Sequence, residues 1–340
     1  MTSLKPRVSI GMPVYNGAQY LERALDTLLA QTFTDFEIVI TDNCSTDNTQ
    51  EICERYAAQD DRVKYHRNET NIGASRNYNR CYDLAIGEYF KWAAHDDEHA
   101  PTYLEKTVAL LDTHPDAVLA HSYTDIIDRN SNVIPVPDNV LNLMVKDPDG
   151  GEMRVGVEYS DRHVDSDSVS ERYQGILLQT SWCYDIFGLM RRNALANTNL
   201  QESFYRTDKV LLAEMVLQGK FLHVPERLFL NRRHAKQSGN IKTAKEREAW
   251  NNPSAAKHHP IPQWLCMKGY TRAMWKTSMS RTERARCVSI LARYATDMKS
   301  WLTLFNEKLD LNLHIAMKSQ PKDTGSLTMP PLAKDSGRKI

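Results

Sequence analysis

The 340-residue sequence has no surplus of either charge: Lys and Arg together number 43, and so do Asp and Glu. With that balance no global field draws the chain onto nucleic acid or anionic lipid, and no basic stripe supports a DNA or RNA partner. Cysteine is sparse. Cys44, Cys53, Cys81, Cys183, Cys266 and Cys287 are scattered without a CxxC pair, which excludes a disulfide framework and fits reduced, mostly buried thiols. No apolar run approaches the roughly 18 residues of a membrane span. The opening MTSLKPRVSI lacks the basic-then-apolar pattern of a secretion signal. A cytoplasmic protein is the expectation. Hydrophobic residues at 41% and charged residues at 25% are ordinary for a globular chain, and the length accommodates one large α/β domain with an appendage.

Over the first 125 residues strand and helix signals alternate, the pattern of a parallel sheet with crossover helices. VSIGMPVY (8–15) reads as a strand, and Leu21, Ala24, Leu25, Leu28 and Leu29 mark one face of a helix. FEIVITD (36–42) is a second strand ending at an acid, and Asp47 with Gln50 predicts a capping box for the helix carrying Ile52, Tyr56 and Ala57. RVKYH is a third strand, SRNYNRCYDLAIG a helix closed by Gly87, and EYFKWAA a fourth strand. Pro101 is expected to open a helix on Leu104, Val108 and Leu111, and AVLAHSYTDIID is a fifth strand. From Arg129 to about Arg172 Pro, Asp, Asn, Gly and Ser dominate, which reads as a functional or mobile loop. Order resumes at GILLQTSWCYDIFGLMRRNAL, followed by the helical TDKVLLAEMVLQG and the strand-like KFLHVPERLFLNRRH. Beyond residue 238 the chain reads as helical. Cys287, Leu291, Tyr294, Met298, Trp301 and Phe305 recur at helical spacing, a stripe for packing on the main domain, or else for a membrane surface or a second copy. The last twenty residues read as a disordered tail.

In an open parallel α/β sheet, ligands bind beyond the carboxyl ends of the strands. Strand one delivers Pro13, Tyr15 and Asn16 to that rim, and strand two delivers Thr41, Asp42 and Asn43. Asn71, Gly73 and Arg76 follow strand three; His95, Asp96 and Asp97 follow strand four. An Asp at a strand end accepts from a base N–H or ribose hydroxyls, and an Arg offers planar donors to phosphate. Adjacent carboxylates offer hard oxygen ligands for Mg²⁺ or Mn²⁺ bridging phosphate oxygens. Singly, Asp42 is equally a helix-capping acid and Arg76 equally a solvated helix residue. Four polar clusters on one rim point to a shared nucleoside-diphosphate ligand.

The segments VSIGMPVYNGAQYLERALDTLLAQTFTDFEIVITDNCSTDNT, NIGASRNYN and the HDD corner, in that order, resemble the family 2 glycosyltransferases of the GT-A fold. The resemblance runs from about Val8 to His234. It implies an α/β fold: a Rossmann-like, mostly parallel sheet flanked by helices, here with a helical C-terminal extension. It divides the chain into a GT-A domain over 1–238, with a nucleotide-binding part (about 1–128) and an acceptor part (about 129–238), an extension over 239–320 and a tail over 321–340. The implied reaction is inverting transfer of a sugar from a nucleotide-sugar, UDP before dTDP, to a glycan, lipid-linked or small-molecule hydroxyl.

The resemblance also implies roles. Pro13, Tyr15, Asn16, Asp42, Gly73 and Arg76 would line the nucleotide site, with His95 and Asp96 beside the donor. Asp97 matches the last acid of the D-x-D motif, the direct ligand of Mn²⁺ or Mg²⁺, and His234 is a second candidate ligand. Arg233 matches a basic segment near the diphosphate, though a surface basic cluster explains it equally. Asp208 takes the position of the catalytic base; as an alternative or an addition, it caps a helix. Trp182, Tyr184 and Gly188 form a candidate acceptor platform, with burial in the core as the other reading. Two residues depart from the family pattern. His95 stands where a first acid is expected, and Thr207 where Glu usually precedes the base. They keep open a non-catalytic sugar-nucleotide or glycan-binding relative. A sugar nucleotidyltransferase ranks behind both, because MPVYNGAQYL replaces the Gly-rich phosphate loop that class requires.

Overall fold

The computed structural model describes residues 5–296, apart from 138–139, 141–142, 147–151, 158–161, 235–236, 238–239, 242 and 254–261. The chain opens with β1 (Val8–Val14), α1 (Leu21–Leu29), β2 (Phe36–Asp42), α2 (Thr49–Gln59), β3 (Val63–Arg67), α3 (Ala74–Leu84) and β4 (Tyr89–Trp92). It continues through β5 (Glu98–His99), α4 (Tyr103–Thr113), β6 (Ala117–Ile127), β7 (Val133–Ile134), β8 (Leu143–Lys146) and β9 (Glu152–Val155). The remainder is α5 (Val169–Gln174), β10 (Leu189–Arg191), α6 (Arg192–Ala196), α7 (Thr207–Val216), β11 (Lys220–Arg232), α8 (Ala244–Asn251), α9 (Pro262–Lys276) and α10 (Arg281–Thr296).

Nine strands form one sheet in the order β3-β2-β1-β4-β10-β6-β11-β5, with β7 on β6. β3, β2, β1 and β4 are parallel, as are β6 and β11. β10 is inserted antiparallel between β4 and β6, and β5 pairs antiparallel with β11. Every residue of β1 and β2 is buried. A parallel strand covered on both faces has no polar face to alternate with, so VSIGMPV and FEIVITD read as continuous runs. Pro13 fits this central strand because β4 pairs only as far as Gly11↔Trp92, and its missing N–H falls beyond that ladder. Leu21, Ala24, Leu25 and Leu28 of α1 are buried at helical spacing.

Several local expectations change. Asn48, not Asp47, precedes α2, and it forms no side-chain cap. Asp47 instead accepts from the Thr49 hydroxyl at 2.5 Å and the Ala18 N–H at 3.1 Å, tying α2 to the loop after β1. α3 stops at Leu84 with an extended Ala85 behind it. Gly87 is not its cap: a Cβ there would lie 2.6 Å from the Ser9 nitrogen, so close strand approach requires the glycine. α4 begins at Tyr103, two residues after Pro101. The stretch from 129 to 172, expected to be a functional or mobile loop, contains β7 and the antiparallel pair β8 and β9. Of the C-terminal stripe, Cys287 and Tyr294 are buried together with Ile290; Met298, Trp301, Phe305 and the tail lie outside the described residues.

α7 is apolar nearly all round because Val210 to Val216 are all buried. Cys266, Tyr270, Met274, Cys287 and Ile290 of α9 and α10 pack into the same core as Val210, Leu211 and Phe221. α9 closes tightly here, since a Cβ on Gly269 would lie 2.5 Å from Val210 Cγ1.

A row of polar groups crosses the other core. Fully buried Lys91 donates to the Trp92 carbonyl at 3.1 Å, lies 2.9 Å from His99 Nε2 and sits over the Tyr103 ring. The Tyr103 hydroxyl donates to the Phe187 carbonyl at 3.1 Å, so it meets His121 Nδ1 at 2.8 Å as an acceptor. Burial pushes the Lys91 amine down to about 7 and the His121 ring down to about 3. Unfolded, Lys91 titrates near its ordinary value of about 10.4. Between those two values the unfolded chain holds the extra proton, and stability rises with pH by up to about 1.4 kcal/mol per unit. Wild type is therefore expected to gain stability relative to Lys91→Met from about pH 7 to pH 10. Urea unfolding of both across that range checks this, and a constant difference would contradict it.

Candidate active site

The loop after β1 is fixed by Asn16, which adopts φ 52, a left-handed conformation that Asn tolerates better than most residues. Its Oδ1 accepts from the Thr46 N–H at 2.8 Å, and its own N–H donates to Ser45 Oγ at 2.9 Å. Tyr15 beside it is 45% exposed, an open aromatic at the rim. Asp42 is fully buried and accepts from the Ser45 N–H (2.8 Å), the Tyr65 hydroxyl (2.8 Å) and Arg67 Nη1 (3.0 Å). It therefore organises the rim from below, and Arg67, which sequence reading passed over, is the charged group standing above it. Gly73 has φ 87, and a Cβ there would meet the Asn251 carbonyl at 2.4 Å. Ser75 Oγ also donates to Asn251 Oδ1 at 3.2 Å, so α8 backs the third loop. Arg76 is exposed on α3.

The HDD corner meets the end of β11. Asp97, 2% exposed, accepts from the Arg232 N–H at 2.8 Å and from Asn231 Nδ2 at 3.0 and 3.2 Å. Asp96 Oδ2 lies 2.8 Å from His234 Nε2, and the His234 ring packs on Tyr20 at 4.8 Å. Arg232 is buried; its guanidinium donates to the carbonyls of Asp96 (2.8 Å) and Asp128 (2.7 Å) and to the Glu98 carboxylate. His95 packs against the first loop: a Cβ on Gly17 would lie 2.6 Å from its ring, so Gly17 makes room for it. Burial and the Asp96 charge push Asp97 up to about 8. Dry surroundings also oppose the Asp96 charge, but the His234 hydrogen bond and the nearby His95 and His234 hold its carboxyl below the ordinary range.

Among the described residues no three His, Cys, Asp or Glu converge as a cation cage. A Mg²⁺ or Mn²⁺ shared with phosphates needs only one or two carboxylates. Two features of the corner fit such an ion. Asp97 is buried with no ion pair among the described residues, and Asn231 Oδ1 beside it is buried without a hydrogen-bond partner. His234, the other expected ligand, directs its Nε2 at Asp96 instead.

Asp208 is the second residue of α7. The chain enters that helix through Arg206 at φ 70, and the helix has no side-chain cap, so the N-cap reading of Asp208 is not what the structure has. Thr207 turns inward and accepts from the Glu202 N–H at 2.6 Å. Tyr78 of α3 packs on Trp92 at the end of β4, with ring centroids 6.1 Å apart. Burial, and then the charges of Asp96 and Asp97, raise its hydroxyl well above the ordinary range.

Arg233 is buried and faces the aromatic pair. It donates to the Tyr184 hydroxyl at 2.6 Å and stacks on Trp182 at 4.5 Å. Trp182 and Tyr184 are parallel to within 4°, with centroids 5.8 Å apart. They line a cavity of about 430 Å³ shared with His121, Arg162, Asp185 and His223. Arg162 donates to Asp185 at 2.5 Å, and His223 Nε2 lies 2.8 Å from the same carboxylate. Gly188 does not join the aromatic pair. It is buried against β6, where a Cβ would lie 2.9 Å from Leu119 Cδ2, and so its role is packing.

The family described as Glycosyl transferase family 2 matches residues 9–195, more than half of the chain. The putative glycosyltransferase EpsE of Bacillus subtilis is 36% identical over 110 residues, 32% of this chain and 40% of that protein. The putative teichuronic acid biosynthesis glycosyltransferase TuaG of Bacillus subtilis is 34% identical over 111 residues, 33% of this chain and 44% of that protein. This chain thus spans less than half the length of these relatives. Among solved structures, S. aureus TarS 1-349 in complex with UDP matches with TM-score 0.60 at 17% identity, covering 91% of this chain and 76% of that one. GalNAc-T7 with UDP, GalNAc and Mn²⁺ matches with TM-score 0.51 at 17% identity, covering 80% of this chain and 48% of that one. At these identities the structural likeness establishes the fold, which is the GT-A type.

Proposed function

Because the chain belongs to glycosyl transferase family 2, we propose that it moves a sugar from a nucleotide-diphosphate sugar to an acceptor hydroxyl in glycan biosynthesis. Inversion at the anomeric carbon is part of the proposal. The observation that carries it is the HDD corner, where Asp97 accepts from the Arg232 N–H and Asp96 meets His234, together with a separate acid, Asp208, at the start of α7. A paired-acid corner and a separate acid are what a donor diphosphate and an acceptor proton require.

Residues 1–128 take the nucleotide and residues 129–238 the acceptor. Tyr15 is an open aromatic for the base, and Asp42 shapes that site by holding Arg67 and the Ser45 turn. Asp97, supported by Asp96, is the residue that would hold Mn²⁺ or Mg²⁺; GalNAc-T7, of the same fold, was solved with Mn²⁺. When bound, such an ion supplies Lewis-acid stabilisation of charge on the departing diphosphate. Arg233 stands between that corner and the Trp182–Tyr184 pair, where its fixed positive charge favours the same departing group. The cavity beside the pair admits the acceptor. Asp208 removes the proton of the acceptor hydroxyl as its oxygen bonds to the anomeric carbon and the bond to the diphosphate breaks. No covalent intermediate is required. UDP is the preferred nucleoside diphosphate, by the UDP bound to TarS and GalNAc-T7. The acceptor is a glycan, lipid-linked or small-molecule hydroxyl, met in the cytoplasm or at the inner face of the membrane. A thermal-shift screen of nucleoside diphosphates tests the donor class. The expected result is a shift with UDP that grows with Mn²⁺; no shift with any nucleoside diphosphate would overturn the assignment.

A further inference from the structure

The chain has equal numbers of acids and bases, yet residues 262–296 carry seven Lys or Arg against one acid, Glu283. That acid is half-buried and faces inward, where it accepts from the Ser170 N–H at 2.6 Å. The outward faces of α9 and α10 therefore hold bases without acids: Lys268, Lys276, Arg281, Arg286 and Arg293 are all exposed. Some of these touch local partners, Lys276 the Asn197 carbonyl, Arg286 the inward-facing Glu283 and Arg293 the Gln174 amide, without leaving the surface.

The same face presents large aromatics that a solvated surface does not favour. Trp264 is 62% and Trp275 61% exposed. Eleven residues apart on one helix, they are three turns distant and lie on one line, with Lys268 between them. Arg284 of α10 stacks on the Trp275 ring at 5.1 Å, joining the two helices into one surface. Val288, 44% exposed, continues it on α10. No described helix is long and apolar enough to cross a membrane. Exposed Trp with interspersed Lys and Arg on an amphipathic helical face is instead the composition that lies in a headgroup layer, with the rings at the interface and the bases on lipid phosphates.

We propose that the outward face of α9 and α10 docks this protein on an anionic bilayer. The occupant is fixed by complementarity: a basic face whose single acid, Glu283, turns towards Ser170 needs a negative partner, and the two exposed indoles need one with an accessible apolar layer. The proposal deepens the membrane part of the functional reading and names its surface; it does not depend on the transfer chemistry.

The test is co-sedimentation of the full chain with phosphatidylcholine vesicles, with and without phosphatidylglycerol. The protein is expected to pellet only with phosphatidylglycerol and to be released near 1 M salt, where the screening length falls to about 3 Å. Trp264→Ala with Trp275→Ala is expected to weaken partitioning about tenfold or more, and Lys268→Gln with Arg281→Gln to weaken it at low salt. Equal pelleting with both vesicles, none with either, or indifference to both variant pairs would overturn the proposal. So would a dimer that forms without vesicles and is lost in the Trp variants. The thermal shift with UDP should survive in every variant; its loss in wild type would count against the functional reading and leave this surface untouched.

Discussion

Asp208→Asn is expected to lower kcat by about 10²–10⁴-fold, the range for removing a general base, while leaving nucleotide affinity within about twofold. The substitution preserves size and removes only the ability to take a proton. Structural cost is expected to be small because Asp208 is not the cap of α7. Thr207, not Asp208, makes the inward hydrogen bond at that turn, to the Glu202 N–H. Activity and binding should therefore separate in this variant: single-turnover transfer collapses while titration with UDP does not change. Full turnover by Asp208→Asn would remove Asp208 from the reaction.

Asp97→Asn is expected to lower activity by about 10²–10³-fold, the scale of losing one electrostatic contact to a developing charge. Here binding should change as well. The variant keeps an acceptor for the Arg232 N–H, and its new amide can donate to Asn231 Oδ1, which is now buried without a partner. The fold is thus expected to tolerate the change. What is lost is the negative charge that burial and Asp96 already disfavour, and with it the gain that Mn²⁺ gives to UDP binding. Thermal shift with UDP, with and without Mn²⁺, reads this directly: wild type should respond to the pair more than to UDP alone, and the variant to UDP alone only. An unaltered Mn²⁺ response in Asp97→Asn would place the ion elsewhere.

The strand runs were legible because β1 and β2 are covered on both faces and leave no polar positions to interrupt the pattern. The rim was legible because four strands end in polar residues at their carboxyl ends. The antiparallel β10 was not, since three residues are too few to show a period or a strand direction. Arg232 was passed over as one of two adjacent arginines; both are buried, and Arg232 is the one that joins the Asp96 carbonyl to Glu98. For Gly188 the sequence leaves platform and core both open; its proximity to Leu119, which puts it in the core, exists only once β10 is placed beside β6. The basic face of α9 and α10 was hidden by a chain-wide charge count that sums to zero.

The most direct measurement is release of nucleoside diphosphate from UDP-sugars by the full chain, with acceptor and Mn²⁺, in wild type and Asp208→Asn. Acceptor-dependent release by wild type, abolished by EDTA and reduced at least about 10²-fold in the variant, is the predicted result. Release that persists undiminished in EDTA and in Asp208→Asn would contradict the account.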